Sequence, residues 1–201
     1  MWNNEVFSHI AHEANKASVD MGDELGVPEW CQKSGRRNTH LTAIAPTKST
    51  ALIMGGVSEG INPDPAMAYT QLTAGGEVQR VNPVLLQLMK DKGVYTKKHI
   101  QEIIDAFGSV QGVDWLDEEE KKVFRTAFEI DQEVVLRYAS LRQRNIDQSQ
   151  SLNLFFAADE DPAYIAKIHK IAFKDENIIS LYYITTMAGV HASKGECEAC
   201  Q

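Results

Sequence analysis

Basic charge, cysteine and long apolar runs are what this 201-residue sequence has least of. Lys and Arg number 20 against 28 Asp and Glu, a formal charge of -8, and the cations are scattered along the chain, which argues against a nucleic-acid-binding surface. No apolar run approaches the roughly 20 residues that span a bilayer. The first residues also lack the basic, apolar and small-residue order of a signal peptide, so a cytoplasmic protein is expected. Three cysteines are a poor framework for structural disulfides, which come in even sets in secreted chains. There is no Gly-x4-Gly-Lys loop. A second Cys or His pair that would complete a zinc site with Cys197 and Cys200 is missing too, with His191 the only nearby candidate.

What is present suits one domain with an ample core. Val6, Phe7, Ile10, Ala14, Ala17 and Met21 fall at helical spacing, which predicts an amphipathic helix over residues 4–22, stopped around Gly22 to Pro28. Leu41 to Ala45 has the short apolar and Thr composition of a buried strand. Residues 66–82 predict a hairpin around Gly75 and Gly76. Helices are expected after Pro83, from Thr96 to a stop at Gly108, and from Asp117 as one run toward Leu141. Arg142 to Ser151 is a polar connector, and Leu152 to Phe156 a strand. Asp161 and Pro162 open a helix with Ile165, Ile168, Ala172 and Phe173 facing inward. A last strand covers residues 177–187. Helices separated by buried strands predict an α/β fold with mainly parallel neighbours.

Two stretches carry chemistry. A strand that runs into the hydroxyl-rich turn Thr47, Lys48, Ser49 and Thr50 and then a helix offers N–H groups and hydroxyls to an anion such as phosphate. On spacing alone, Ser49 or Thr50 serving only as a helix cap is an equal reading. Near the other end, Tyr182 and Tyr183 sit in the last strand, where neighbours point to opposite faces and do not form one packing unit. Cys197 and Cys200 follow as a Cys-x-x-Cys beyond any core element, which suggests redox chemistry on a swinging arm. Cys31 is assigned no task. His9 and His12, three apart on the first helix, are read as solvated or partly packed rather than as metal ligands, and no metal site is expected.

Five landmarks occur in order. They are Asn38-Thr-His-Leu-Thr-Ala-Ile-Ala-Pro-Thr-Lys-Ser-Thr50, Glu77-Val-Gln-Arg-Val-Asn-Pro83, Ile146-Asp-Gln-Ser-Gln-Ser-Leu-Asn153, Leu181-Tyr-Tyr183 and the terminal Cys-x-x-Cys. This set resembles the C-terminal part of the large, catalytic subunit of class I ribonucleotide reductase. The resemblance implies the C-terminal portion of a ten-stranded α/β barrel over residues 38–188. An N-terminal helix and loop (1–37) would precede it and a flexible redox tail (189–201) would follow. It also implies a role for each stretch. Thr47, Lys48, Ser49 and Thr50 would bind the phosphates of a ribonucleoside diphosphate. Tyr182 and Tyr183 would relay a radical equivalent from a small, di-iron radical-generating subunit. Cys197 and Cys200 would collect reducing equivalents from thioredoxin or glutaredoxin. Ile165 to Phe173 would lie near the groove that takes the small subunit's C-terminal tail.

The family's thiyl-radical cysteine, its active-site redox pair, its acid–base residues and its allosteric sites have no counterpart here. The chain is therefore expected to bind no cofactor of its own and to be inactive alone. It would complement an N-terminal half of the large subunit, as in a split, phage-type enzyme. A stand-alone thiol oxidoreductase and a non-catalytic nucleotide-binding or assembly module are the alternatives. The terminal position of Cys197 and Cys200 disfavours the first, because a thioredoxin-like motif opens a helix early in the fold.

Overall fold

Local sequence signals become helices and strands largely where caps and periodicity place them. The computed structural model describes residues 2–55, 58–73 and 76–187 as a mixed α/β arrangement. In chain order these residues form α1 (Trp2–Leu25), α2 (Lys48–Ile53), β1 (Ala68–Thr73), β2 (Gly76–Val81), α3 (Pro83–Asp91), α4 (Lys97–Asp105), α5 (Glu118–Val123), α6 (Gln132–Gln143), β3 (Leu154–Phe156), α7 (Pro162–Lys174) and β4 (Ile184–Thr186). Among them no helix is long and apolar enough to cross a membrane. They divide into two compact units, one mainly from Met1–Ala45, Gln132–Leu154 and Asp159–Thr185, the other mainly from Pro46–Asp131 and Phe155–Ala158.

The second unit is built on side-chain caps. The antiparallel hairpin β1–β2 runs in register from Ala68 opposite Val81 to Thr73 opposite Gly76, as the glycine pair suggests. Asn82 then closes the start of α3, its Oδ1 accepting from the N–H groups of Val84 and Leu85, with Pro83 at the first helical position. Thr96 does the same for α4, and Asp117 with Glu120 forms a capping box on α5. Leu85 and Met89 of α3, Ile100 and Ile103 of α4, and Met67, Val110, Val113 and Leu116 pack as one apolar cluster. Gly108 ends the α4 segment at φ +84°, and its carbonyl accepts from Met67 N–H at 2.9 Å.

The single helix expected from Asp117 to Leu141 is broken. α5 ends at Val123, and Thr126 and Ile130 take extended backbone angles around a short 3-10 turn, Ala127–Glu129. Two competing bonds stop the helix. Ala127 N–H donates to Asp64 O at 2.7 Å, and Glu129 caps Thr126 N–H at 2.8 Å while also accepting from the Ser109 hydroxyl.

In the first unit, α6 packs against α1 and α7. Tyr164 Oη accepts from Gln132 N–H at the start of α6, and Lys167 pairs with Glu133. Ile168 and Ala172, four residues apart, are buried as expected, but Phe173 is 79% exposed because one further residue turns it about 100° off that face, beside His169. The apolar stripe of α1 is also incompletely covered. Ser18 and Gly22 are its buried positions, and Val6, Ile10 and Met21 remain exposed.

Strand structure is sparser than the sequence suggests. Among the described residues the sheets are β1–β2 and β3–β4, and the one parallel contact outside them is a bridge between Ile44 and Gln150. Leu41 to Ala45 is therefore an extended segment bound on one side, with Ala43 and Ala45 exposed, and not a buried strand. Residues 177–183 likewise stay outside β4.

Candidate functional site

Because regular strand geometry starts only at Ile184, the alternation that would send Tyr182 and Tyr183 to opposite faces does not apply to them. Their rings lie against each other, centroids 3.9 Å apart and planes inclined by 40°, and Tyr182 Oη donates to Tyr183 Oη at 3.0 Å. The expectation that the two phenols are not one packing unit is overturned. The backbone around them is pinned: Tyr182 N–H donates to Leu152 O at 2.8 Å, Leu154 N–H to Tyr183 O at 2.9 Å, and Tyr183 N–H to Asn153 Oδ1 at 3.2 Å. With 46% and 58% of their surfaces exposed, both rings are reachable by another molecule.

The hydrogen bond to Tyr183 holds the Tyr182 proton and pushes its pKa above the ordinary phenol value, with desolvation and the neighbouring phenol's charge acting in the same direction. Replacing Tyr183 by phenylalanine removes the acceptor and is expected to bring Tyr182 back toward about 10. A difference titration of phenolate absorbance between the chain and the Tyr183→Phe variant reads this directly. An unshifted Tyr182 would mean that the hydroxyl pair is not made in solution.

The stretch read as a polar connector is the brace of this site. Arg142 and Gln143 are buried within α6, and Gln150 is buried beside them. Arg142 Nε donates to Gln150 Oε1 at 3.1 Å, and Gln150 Nε2 donates to Ala139 O and Gln143 Oε1, both at 2.9 Å. Arg142 also lies 5.9 Å from the centre of the Phe7 ring, a cation–π distance. Desolvation lowers the Arg142 pKa to about 10, so it remains charged. Three residues on from Gln150, Asn153 holds Tyr183. Three residues before it, Asp147 accepts from Leu41 N–H at 2.7 Å and Thr42 N–H at 2.9 Å. Burial pushes the Asp147 carboxyl up, but these donors, the Thr42 hydroxyl and His40 outweigh it and hold the carboxyl below its usual range. Sequence reasoning quoted Asp147, Gln150 and Asn153 inside a landmark without a role. Their three-residue spacing was the available signal, and it is spacing along a bent segment with no periodic element to interpret it.

The hydroxyl-rich turn is described within the second unit. Thr47 has φ +52°, unusual for a β-branched residue, and its Oγ1 accepts from Gly60 N–H at 2.9 Å. α2 starts at Lys48, so neither Ser49 nor Thr50 stands at the cap position. The N–H groups of Lys48, Ser49 and Thr50 have no partner among the described residues, and all four turn residues are exposed. The first internal bond of α2 is Ala51 N–H to Thr47 O at 2.8 Å. Such an array can donate to an anion. Cys197 and Cys200 lie outside the described residues, and Cys31 is a buried free thiol.

A family model described as the ribonucleotide reductase barrel domain matches residues 26–184, a span that includes the turn, the brace and both tyrosines. The chain belongs to the ribonucleotide reductase large-subunit family. A protein of Frog virus 3 (isolate Goorha), provisionally named a ribonucleoside-diphosphate reductase large subunit, is 36% identical over 98% of this chain and 36% of its own length. The large subunit of Invertebrate iridescent virus 6 is 34% identical over 96% of this chain and 20% of its own length. Among solved structures, an Actinobacillus ureae class Id ribonucleotide reductase alpha subunit superposes with a TM-score of 0.81 at 34% identity, covering 92% of this chain and 34% of that one. The chain thus spans between a fifth and about a third of the reductase subunits it matches.

Proposed function

We propose that this chain is the C-terminal portion of a class I ribonucleotide reductase large subunit. It would reduce ribonucleoside diphosphates together with the N-terminal portion of such a subunit and a small, radical-generating subunit. The observation that carries the reading is the stacked, hydrogen-bonded phenol pair at the surface of a chain of this family. A phenol gives up an electron and a proton together. With two oxygens 3.0 Å apart, a Tyr183 phenoxyl formed by an arriving oxidising equivalent can be refilled by the Tyr182 hydrogen atom, or the reverse, in one short hop. The exposed pair therefore suits a relay that hands a radical equivalent between subunits.

The remaining roles follow the family pattern. Thr47, Lys48, Ser49 and Thr50 hold the diphosphate at the end of the barrel. Reduction replaces the substrate's 2'-hydroxyl by hydrogen, releases it as water and turns two active-site thiols into a disulfide. Those thiols lie on the portion of the subunit that this chain lacks. Cys197 and Cys200 then reduce the disulfide by thiol–disulfide exchange and are themselves reduced by thioredoxin or glutaredoxin.

The test is diphosphate reduction after mixing the chain with the complementary portion of a large subunit and a small subunit. Cys197→Ser is expected to lower turnover by at least about tenfold when a thioredoxin-type protein is the reductant, because exchange through a single thiol stalls at the mixed disulfide. With a small chemical dithiol it is expected to leave turnover near wild type. Full activity of the variant with the protein reductant would remove the tail from the mechanism, and disulfide reductase activity by the chain alone would favour a stand-alone oxidoreductase.

A further inference from the structure

The tyrosine segment and the 152–154 segment run in the same direction, and their hydrogen bonds leave one residue too many on the tyrosine side. Between parallel strands a single residue gives its N–H to the carbonyl just before its opposite number and takes the N–H just after it on its own carbonyl. Opposite Asn153 that step is shared by two residues. Tyr182 N–H donates to Leu152 O at 2.8 Å, but it is Tyr183 O that accepts from Leu154 N–H at 2.9 Å. An added residue of this kind is a bulge, which breaks the alternation of faces and lets neighbouring side chains share one side. It also takes the Tyr183 N–H out of the ladder.

Asn153 supplies what the ladder lacks there. Its Oδ1 accepts from Tyr183 N–H at 3.2 Å. Leu152 and Leu154 on either side are buried, so the backbone that carries this acceptor is held in place. A side chain with no acceptor would leave the Tyr183 N–H to water. The tyrosine segment could then slip by one residue into ordinary pairing, which sends consecutive side chains to opposite faces. The hydroxyl contact tolerates little of that. It stands at 3.0 Å, and beyond about 3.5 Å two oxygens are no longer hydrogen-bonded.

We infer that Asn153 is a positioning residue for the phenol pair: by holding the bulge open it keeps both rings on one side and the hydroxyls of Tyr182 and Tyr183 in contact. The consequence for turnover rests on the functional reading above, and the placement of the rings does not.

The test uses the full chain, alone for phenolate titration and assembled with the complementary portion and the small subunit for turnover. Asn153→Leu keeps the size of the side chain and removes the acceptor. In it Tyr182 is expected to lose at least about half of the upward displacement that Tyr183→Phe removes, and in the Tyr183→Phe background Asn153→Leu should add nothing further. Ser180→Ala deletes a different bond between the same two segments, Ser180 Oγ to Gln150 O at 3.3 Å, and should leave the titration at wild type. In the assembled enzyme Asn153→Leu is expected to lower kcat at least about tenfold and to leave the KM for diphosphate within about twofold. Asn153→Asp keeps an acceptor at the same place and should restore both the raised Tyr182 titration and turnover. Wild-type titration in a folded Asn153→Leu chain overturns the inference, and so does an equal displacement by Ser180→Ala. If the leucine variant does not fold, an aspartate variant that titrates like Tyr183→Phe overturns it instead. A titration that moves as expected while turnover is unchanged leaves the positioning role standing and removes the relay from the proposed function.

Discussion

Changing either Tyr182 or Tyr183 to phenylalanine is expected to abolish diphosphate reduction by the assembled enzyme, even with a chemical dithiol present. Phenylalanine preserves the ring stack but has no O–H to surrender, so the transfer would have to leap past the missing oxygen. A barrier raised by only about 4 kcal/mol already slows a step about a thousandfold, which sets the residual activity expected. Folding should be nearly unaffected, because both rings are half exposed and surface substitutions of this kind typically fall within about 0.5 kcal/mol. Turnover and thermal unfolding of each variant are the measurements. More than a tenth of wild-type activity in either variant would mean that the phenol pair is packing and not a relay.

Gly108→Ala is expected to be the most damaging small substitution in the second unit. Gly108 has φ +84°, where a Cβ is strained, and a Cβ built there would lie 2.3 Å from Ala66 Cβ and 2.6 Å from Ala66 Cα. Backbone cannot yield as a flexible side chain would, and Met67 N–H is bonded to the Gly108 carbonyl, so relief by movement breaks a bond next to the buried cluster. Strain of about 1 kcal/mol and overpacking of about 1–3 kcal/mol together remove a large share of the roughly 5–15 kcal/mol that holds a domain folded. Gly26→Ala is the matched control. It has the same φ of +84° with nothing within 4 Å of the added Cβ, and is expected to cost about 1 kcal/mol. Urea unfolding of the two variants separates collision from strain. Equal losses would show that the Ala66 contact relaxes.

The elements legible in the sequence are those whose signals are local. Asn82 before Pro83, Thr96, the Asp117 box and Asp161 each place a helix start where the structure has one, because a cap needs only the next three residues. The glycine pair placed the hairpin for the same reason. The reading lost accuracy where a distant partner decides. Periodicity carried one helix through Thr126, but Asp64 holds Ala127 from 63 positions away in sequence. Composition made Leu41 to Ala45 a buried strand, but burial needs a neighbour that the described residues do not provide. Tyr182 and Tyr183 were singled out correctly as a pair and misread in geometry, because alternation is a property of strands and they lie just outside one. Arg142 and Gln150 look like linker residues in one dimension. Only the turn of α6 against the 146–153 segment shows that each is the other's buried partner.

The two anchors of that segment differ in what protonation does to them. Asp147 has a depressed carboxyl pKa, so its grip on Leu41 and Thr42 is full above the ordinary carboxylate range and fades as pH falls through its folded value. Arg142 donates to the neutral amide of Gln150 and keeps its charge until about pH 10, so acid leaves it untouched. Only strong acid, below the ordinary carboxylate range, would therefore slacken the hold on Leu41 and Thr42, while the amide clamp that ties α6 to the 146–153 segment stays shut.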